Sequence, residues 1–193
     1  MALPRALGAA LLVVLLAGCG GSAEKKSGGA STSVGEETCA PLEGGGTGVR
    51  SNPKPNRTML LTDVKAETEV CADRVTFDFK HDLAAKPGFR IEYRPAAEAQ
   101  TEDGSGNHIA VDGTAFLVVR FEPAATADLS GDQLKFTYTG PRRVPAPGAR
   151  HVREVVKTGD FESVLTWTIG LDKQRPFKVT TSDSPPRLVI EIV

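Results

Sequence analysis

No apolar stretch in this 193-residue chain is long enough to cross a bilayer. The longest, Ala6 to Leu16, falls short of the roughly 20 residues that a spanning helix needs. A basic excess is also missing, since 23 Lys and Arg stand against 24 Asp and Glu. This removes the electrostatic footprint of a nucleic-acid binder and any strong pull toward an anionic membrane surface. Histidine is scarce: His81, His108 and His151 lie far apart and none has another ligand type at metal-binding spacing, so they read as loop histidines and no metal is expected. The chain has no G-x-S-x-G elbow, no Ser, His and Asp set at recognisable strand ends, and no paired cysteines at C-x-x-C spacing. The expectation is a protein without cofactors and without catalysis. No window carries a convincing amphipathic helix; Thr62 to Thr68 comes nearest and is too short.

The chain begins with Arg5, the apolar stretch Ala6 to Leu16, and then Ala17-Gly18-Cys19. That order is expected of a signal peptide over residues 1–18, removed on export. Leu16-Ala17-Gly18-Cys19 also looks like a bacterial lipobox. Small residues before the cysteine admit a peptidase to the backbone, and the thiol suits thioether formation with a diacylglyceryl group. An ordinary secretory signal with a chance cysteine is the plainer alternative. Lipid chains contribute about 0.8 kcal/mol per buried CH₂, so a lipidated Cys19 would hold the protein on the outer face of the cell membrane.

Residues 19–56 are rich in Gly, Ser, Pro, Lys and Glu and lack apolar period, which predicts a flexible tether. If Cys39 is fixed to the body, about twenty free residues give a root-mean-square reach of roughly 25 Å. Cys39 suits a disulfide with Cys71 in an oxidising compartment, worth roughly 3–4 kcal/mol on a chain-entropy account. Two free thiols are the alternative.

From residue 57 onward the apolar clusters repeat every second residue, as half-buried antiparallel strands do. Met59, Leu60, Leu61 and Val64 open the series. Val75, Phe77 and Phe79 share one face of a strand, and Phe89, Ile91 and Tyr93 share one face of the next, with Arg90, Glu92 and Arg94 outward. Pro95 to Asn107 reads as a polar connection with tight turns at Asp103-Gly104 and Ser105-Gly106. Ile109 and Val111 suggest a short strand, Ala115 to Val119 a central strand covered on both faces, and Leu134, Phe136 and Tyr138 a further alternating strand. The last 35 residues predict three strands on Leu165, Trp167, Ile169 and Leu171, on Phe177 and Val179, and on Leu188, Ile190 and Ile192. Fold class is therefore all-β, a two-layer β-sandwich over residues 57–193.

The ordered series CADRVTFDF, PGFRIEY, DGSG, VREVVKTGDFESVLTWTIGLDKQRPFKV and PPRLVIEIV, behind a lipobox and a polar tether, resembles the AMIN-like lipoproteins of actinobacteria. The sharpest parts are Gly159 to Glu162, Leu165 to Trp167, Ile169 to Leu171 and Arg187 to Val189. The resemblance implies a β-sandwich related to AMIN modules, which accompany cell-wall amidases and secretins and serve in envelope targeting or peptidoglycan association without catalysis. No partner domain follows in this sequence, so the module itself would be the active part.

Trp167 shares a face with Leu165 and Ile169 and is expected in the core rather than as a sugar platform. For a glycan surface, Tyr93 and Tyr138 near strand ends, with Arg94, Arg142 and Arg143 as donors, are the candidates. Asp160 and Glu162 read as a turn aspartate and a solvated glutamate, with Arg153 a partner for Glu162, rather than as a glycosidase pair. The function expected is a membrane-anchored envelope lipoprotein binding peptidoglycan or envelope components. A protein-interaction scaffold and an unrecognised hydrolase are the alternatives.

Overall fold

The computed structural model describes residues 39–80 and 85–193. The signal peptide, Cys19, the tether up to residue 38, and His81 lie outside the described residues. In chain order the elements are β1 (Arg50–Asn52), β2 (Met59–Thr68), β3 (Asp73–Phe79), β4 (Phe89–Arg94), α1 (Ala96–Ala99), β5 (Ala115–Phe121), β6 (Ala124–Ala125), β7 (Ala127–Asp128), β8 (Lys135–Phe136), β9 (Arg143–Pro145), β10 (Val152–Phe161), β11 (Val164–Leu171), β12 (Phe177–Asp183) and β13 (Pro186–Ile192). Two sheets form the sandwich, one ordered β1-β4-β5-β11-β10-β9 and the other β12-β13-β3-β2-β6. All pairings are antiparallel except β2 with β6. The strands β7 and β8 form a separate ribbon.

Period two does the work that the sequence predicts. Val75, Phe77 and Phe79 of β3, Leu165, Trp167, Ile169 and Leu171 of β11, and Leu188, Ile190 and Ile192 of β13 all point into one core and are fully buried. Their rings meet edge to face, the geometry favoured by the ring quadrupole. Phe77 lies 5.1 Å from Phe121 and 5.9 Å from Trp167, and Tyr138 lies 5.6 Å from Trp167. The strand β13 is not at an edge but between β12 and β3, paired along its length on both sides.

The continuous run of β5 is covered on both faces, as expected, and so is β11. A second, smaller cluster of Ala99, Ile109, Val111, Phe116, Val118 and Val156 packs on the outer face of the six-stranded sheet. Ile109 and Val111 belong to that cover and not to a strand. They are buried because the connection lies flat on the sheet, and burial of two residues spaced by two mimics strand period. The first turn of the Pro95–Asn107 connection is the short helix α1.

At one end of the sandwich the buried carboxylate of Asp73, at the start of β3, accepts the backbone N–H groups of Arg150, His151 and Val152 at 3.1, 2.6 and 2.9 Å. This joins the start of β10 in one sheet to β3 in the other. Two residues before Asp73, Cys71 forms a disulfide with Cys39, with Cα atoms 5.3 Å apart.

Two expectations need correction. Residues 39–56, read as tether, run along the body: β1 pairs with β4, Gly46 and Phe177 exchange both backbone hydrogen bonds, and Asn52 Nδ2 donates to the Pro87 carbonyl at 2.9 Å. The segment docks through its backbone, which leaves no apolar period to read. Leu134 and Phe136 are 57% and 62% exposed, on and beside the β7–β8 ribbon. Of the expected strand Leu134-Phe136-Tyr138 only Tyr138 enters the core. Thr62 to Thr68, set aside as too short for a helix, lies within β2.

Replacing Ile190 by Ala removes a fully buried side chain and is expected to cost roughly 2–5 kcal/mol in urea unfolding. Glu191→Ala removes only the partly exposed ion pair with Arg74 and is expected to cost less than about 1 kcal/mol. Equal losses at the two positions would contradict this arrangement of β13.

Candidate functional site

The hairpin of β10 and β11 turns through two residues, Glu162 and Ser163, whose φ angles of 51° and 63° are both left-handed. This is the type I′ pattern that matches strand twist. Phe161 pairs with Val164 at the base of the turn and is 52% exposed. Two positions earlier, Gly159 has no side chain for a physical reason: a Cβ there would lie 2.2 Å from Asp103 Oδ2. Asp103 rests over β10 because its N–H donates to the Thr158 carbonyl at 3.0 Å and its carboxylate accepts the Thr166 hydroxyl. The next residue, Gly104, has φ of 84° and approaches the Phe161 ring so closely that a Cβ would be 3.2 Å from it. The DGSG and GDFE stretches, more than fifty residues apart, thus form one surface.

Between them opens a groove of about 610 Å³. Arg142 braces one wall: its Nε donates to the Lys157 carbonyl at 3.0 Å, and its guanidinium pairs with Glu102 at 2.5 Å. The Ser105 hydroxyl, and then Arg142, hold the Glu102 carboxyl below the usual carboxylate range. Lys157 Nζ lies 3.7 Å from Asp160, which also accepts the Thr126 hydroxyl. A polar trough of alternating donors and acceptors beside one exposed aromatic ring is suited to a hydroxyl-rich ligand with an apolar face.

Of the residues singled out from sequence, Arg142 lies in this groove. Arg143 points elsewhere, with Nη1 on both carboxylate oxygens of Glu154 at 2.9 and 3.0 Å and Nη2 donating to the Ala110 carbonyl at 2.7 Å. Arg94 is held by Glu92 and Glu98 on the outer face of β4. Tyr93 is half-buried. Its hydroxyl donates to the Arg175 carbonyl at 2.8 Å and accepts the Arg175 N–H at 2.9 Å, and burial pushes it above the usual phenol range. Arg175 in turn holds the Asp172 carboxyl down to about 2.

Tyr138 is not a surface platform. It is 5% exposed, its hydroxyl donates to the Pro141 carbonyl at 2.8 Å, and burial pushes it up to about 12. Alternation alone could not separate a tyrosine at a strand end from one capping the core. Trp167 is fully buried, as expected. Arg153 and Glu162 sit at opposite ends of β10 and do not meet. Among the described residues no group of three or more His, Cys, Asp and Glu side chains converges as a metal site would. Sequence reasoning missed Phe161, Lys157, Glu102 and Asp103 as a set. The one local signal was a large apolar residue beside Gly159-Asp160, where a hairpin tip is ordinarily polar.

The sequence model of the AMIN-like domain matches residues 59–193, all of β2 to β13. The chain belongs to the AMIN-like family. No curated protein and no solved structure matches it. The matched segment of this AMIN-like domain contains every residue of the groove, whereas β1 and Cys39 precede it.

Gly159→Ala is expected to push Asp103 off β10 and leave the Thr166 hydroxyl unpaired, at about 1–3 kcal/mol. The double variant Gly159→Ala, Asp103→Gly removes every atom that the new Cβ would meet and should recover the part of the loss due to that clash. Chemical denaturation checks both, and an unchanged midpoint for Gly159→Ala would contradict the close approach.

Proposed function

We propose that this AMIN-like domain is the non-catalytic binding end of a lipid-anchored cell-envelope protein, and that its groove holds peptidoglycan glycan. The observation carrying the proposal is the exposed Phe161 ring beside the Arg142, Glu102, Lys157 and Asp160 trough. A sugar ring would lay its C–H face on Phe161 and give its hydroxyls to the charged side chains. Family membership supports an extracytoplasmic setting, and the Cys39–Cys71 disulfide suits an oxidising compartment. Asp160 is held by Thr126 and Lys157, which favours an electrostatic role over hydrolysis.

Residues 39–193 are expected to sediment with purified peptidoglycan, and Phe161→Ala to reduce that retention severalfold without changing the melt. Wild-type protein that stays in the supernatant would overturn the reading. The scaffold alternative is favoured by one feature, the exposed Leu129, Leu134 and Phe136 of the β7–β8 ribbon. Cross-linking of one protein partner through that ribbon, with no wall retention, would establish it instead.

The anchor assigned to Cys19 has its own test. Cys19→Ser is expected to leave an uncleaved or mislocalised precursor, whereas the natural chain partitions into detergent and carries acyl mass. Recovery of the natural chain mainly from culture medium, unacylated, would exclude lipidation.

A further inference from the structure

Asp103 has the groove on one side and a second, small pocket of about 60 Å³ on the other, over the outer face of β4, β5 and β11. A single row of cross-strand neighbours runs beneath both: Arg90 of β4 opposite Arg120 of β5, Arg120 opposite Thr166 of β11, and Thr166 opposite Gly159 of β10. Like charges directly opposite on neighbouring strands repel and are ordinarily avoided. The nearby acids relieve this unevenly. Glu92 is shared by Arg90 and Arg94, and these two arginines hold its carboxyl below the usual range. Glu98 goes to Arg94, and Asp103 is engaged by Thr166. Among the described residues Arg120 has only Glu122 at 3.8 Å, beyond hydrogen-bond reach, and Glu122 is already paired with Lys54.

We infer that Arg90 and Arg120 form an anion subsite that receives an acidic substituent, carboxylate or phosphate, of the polymer whose sugar occupies the neighbouring groove. The identity of the polymer rests on the wall-glycan reading above; the anion subsite rests on the arginine row alone. Two strand spacings of about 4.8 Å separate Arg120 from Gly159 and three separate Arg90 from it, so the two charges lie roughly 10 and 14 Å from the groove floor. That span fits a substituent carried on the sugar or on its neighbour. The anion sits on the Arg90 and Arg120 side, a strand spacing from the Asp103 carboxylate, which disfavours any deeper position.

The probes are acetate and inorganic phosphate alone, a neutral N-acetylglucosamine trimer, a muramyl-peptide glycan bearing carboxylates, and a glycerol-phosphate oligomer. They are titrated into the 39–193 body and followed by arginine side-chain NMR and calorimetry. Acetate or phosphate is expected to shift the Arg90 and Arg120 side-chain signals saturably. Arg120→Gln should weaken the anionic glycan or oligomer about tenfold and leave the neutral trimer unchanged. The tighter of the two anionic polymers identifies the source. Arg90→Gln, also at an exposed side chain, gives a second reading should Arg120→Gln fold poorly. Absence of any saturable shift, or equal affinity for both polymers in wild type and both variants, overturns the subsite. Saturable shifts without trimer binding keep the subsite and overturn the glycan groove.

Discussion

Strand β11 is buried on both faces, and most of the molecule follows from the way its two faces are satisfied. One face gives Leu165, Trp167, Ile169 and Leu171 to the sandwich core. The other presents Thr166 and Thr168 beneath the second layer, where an unpaired hydroxyl costs about 1–3 kcal/mol. Thr168 donates to the Ala99 carbonyl at 2.8 Å and lies 3.2 Å from the Thr158 hydroxyl, and Thr166 donates to Asp103. These bonds pin the 95–107 connection onto the sheet. The polar face of the strand that builds the core is therefore what positions the loop that walls the groove.

The second dependence runs along β10. Its first residue is tied through Asp73 to the other sheet, close to the disulfide where the chain from residue 39 joins the body. Its last residue, Phe161, is at the groove. Ten residues of strand place these ends roughly 30 Å apart. The groove therefore lies at the end of β10 remote from the point where the chain from residue 39 joins the body.

How much of this was legible in sequence depends on the range of the interaction that decides each feature. Phe77, Trp167 and Ile190 could be placed because strand period is local and their faces are wholly apolar. Ile109 and Val111 were misread because burial under a flat-lying connection leaves the same spacing as a strand. Residues 39–56 gave no signal because they dock by backbone hydrogen bonds, to which composition is blind. The groove escaped for the opposite reason: Asp103, Arg142 and Phe161 were each visible as parts of short motifs. Their meeting depends on a non-local fact, the missing Cβ at Gly159 on which the Asp103 carboxylate rests. Tyr138 and Tyr93 show the limit of residue type as evidence, since both hydroxyls are engaged by backbone groups, Tyr138 by the nearby Pro141 and Tyr93 by the distant Arg175.

Backbone strain adds a physical argument for the same end of the fold. Glu162 and Ser163 adopt left-handed φ without being glycine, asparagine or aspartate, at a cost of order 1–3 kcal/mol each. Such conformations persist where the surroundings over-determine them. Here the Ser163 carbonyl accepts the Ala124 N–H at 2.8 Å, which docks the turn onto the start of β6. Asp160 is fixed independently by Thr126, in the segment between β6 and β7. A glycine at either turn position would relieve the strain, but it would also loosen a hairpin tip that carries Phe161 into solvent. An exposed phenylalanine gains nothing in the free domain from being held still. Its rigidity reduces the entropy lost when a ligand packs on the ring, because the ring is already ordered before contact. Turn strain, ring exposure and the closely fitted Gly104 beneath that ring are thus consistent with one requirement, a preformed apolar platform at the edge of a polar trough.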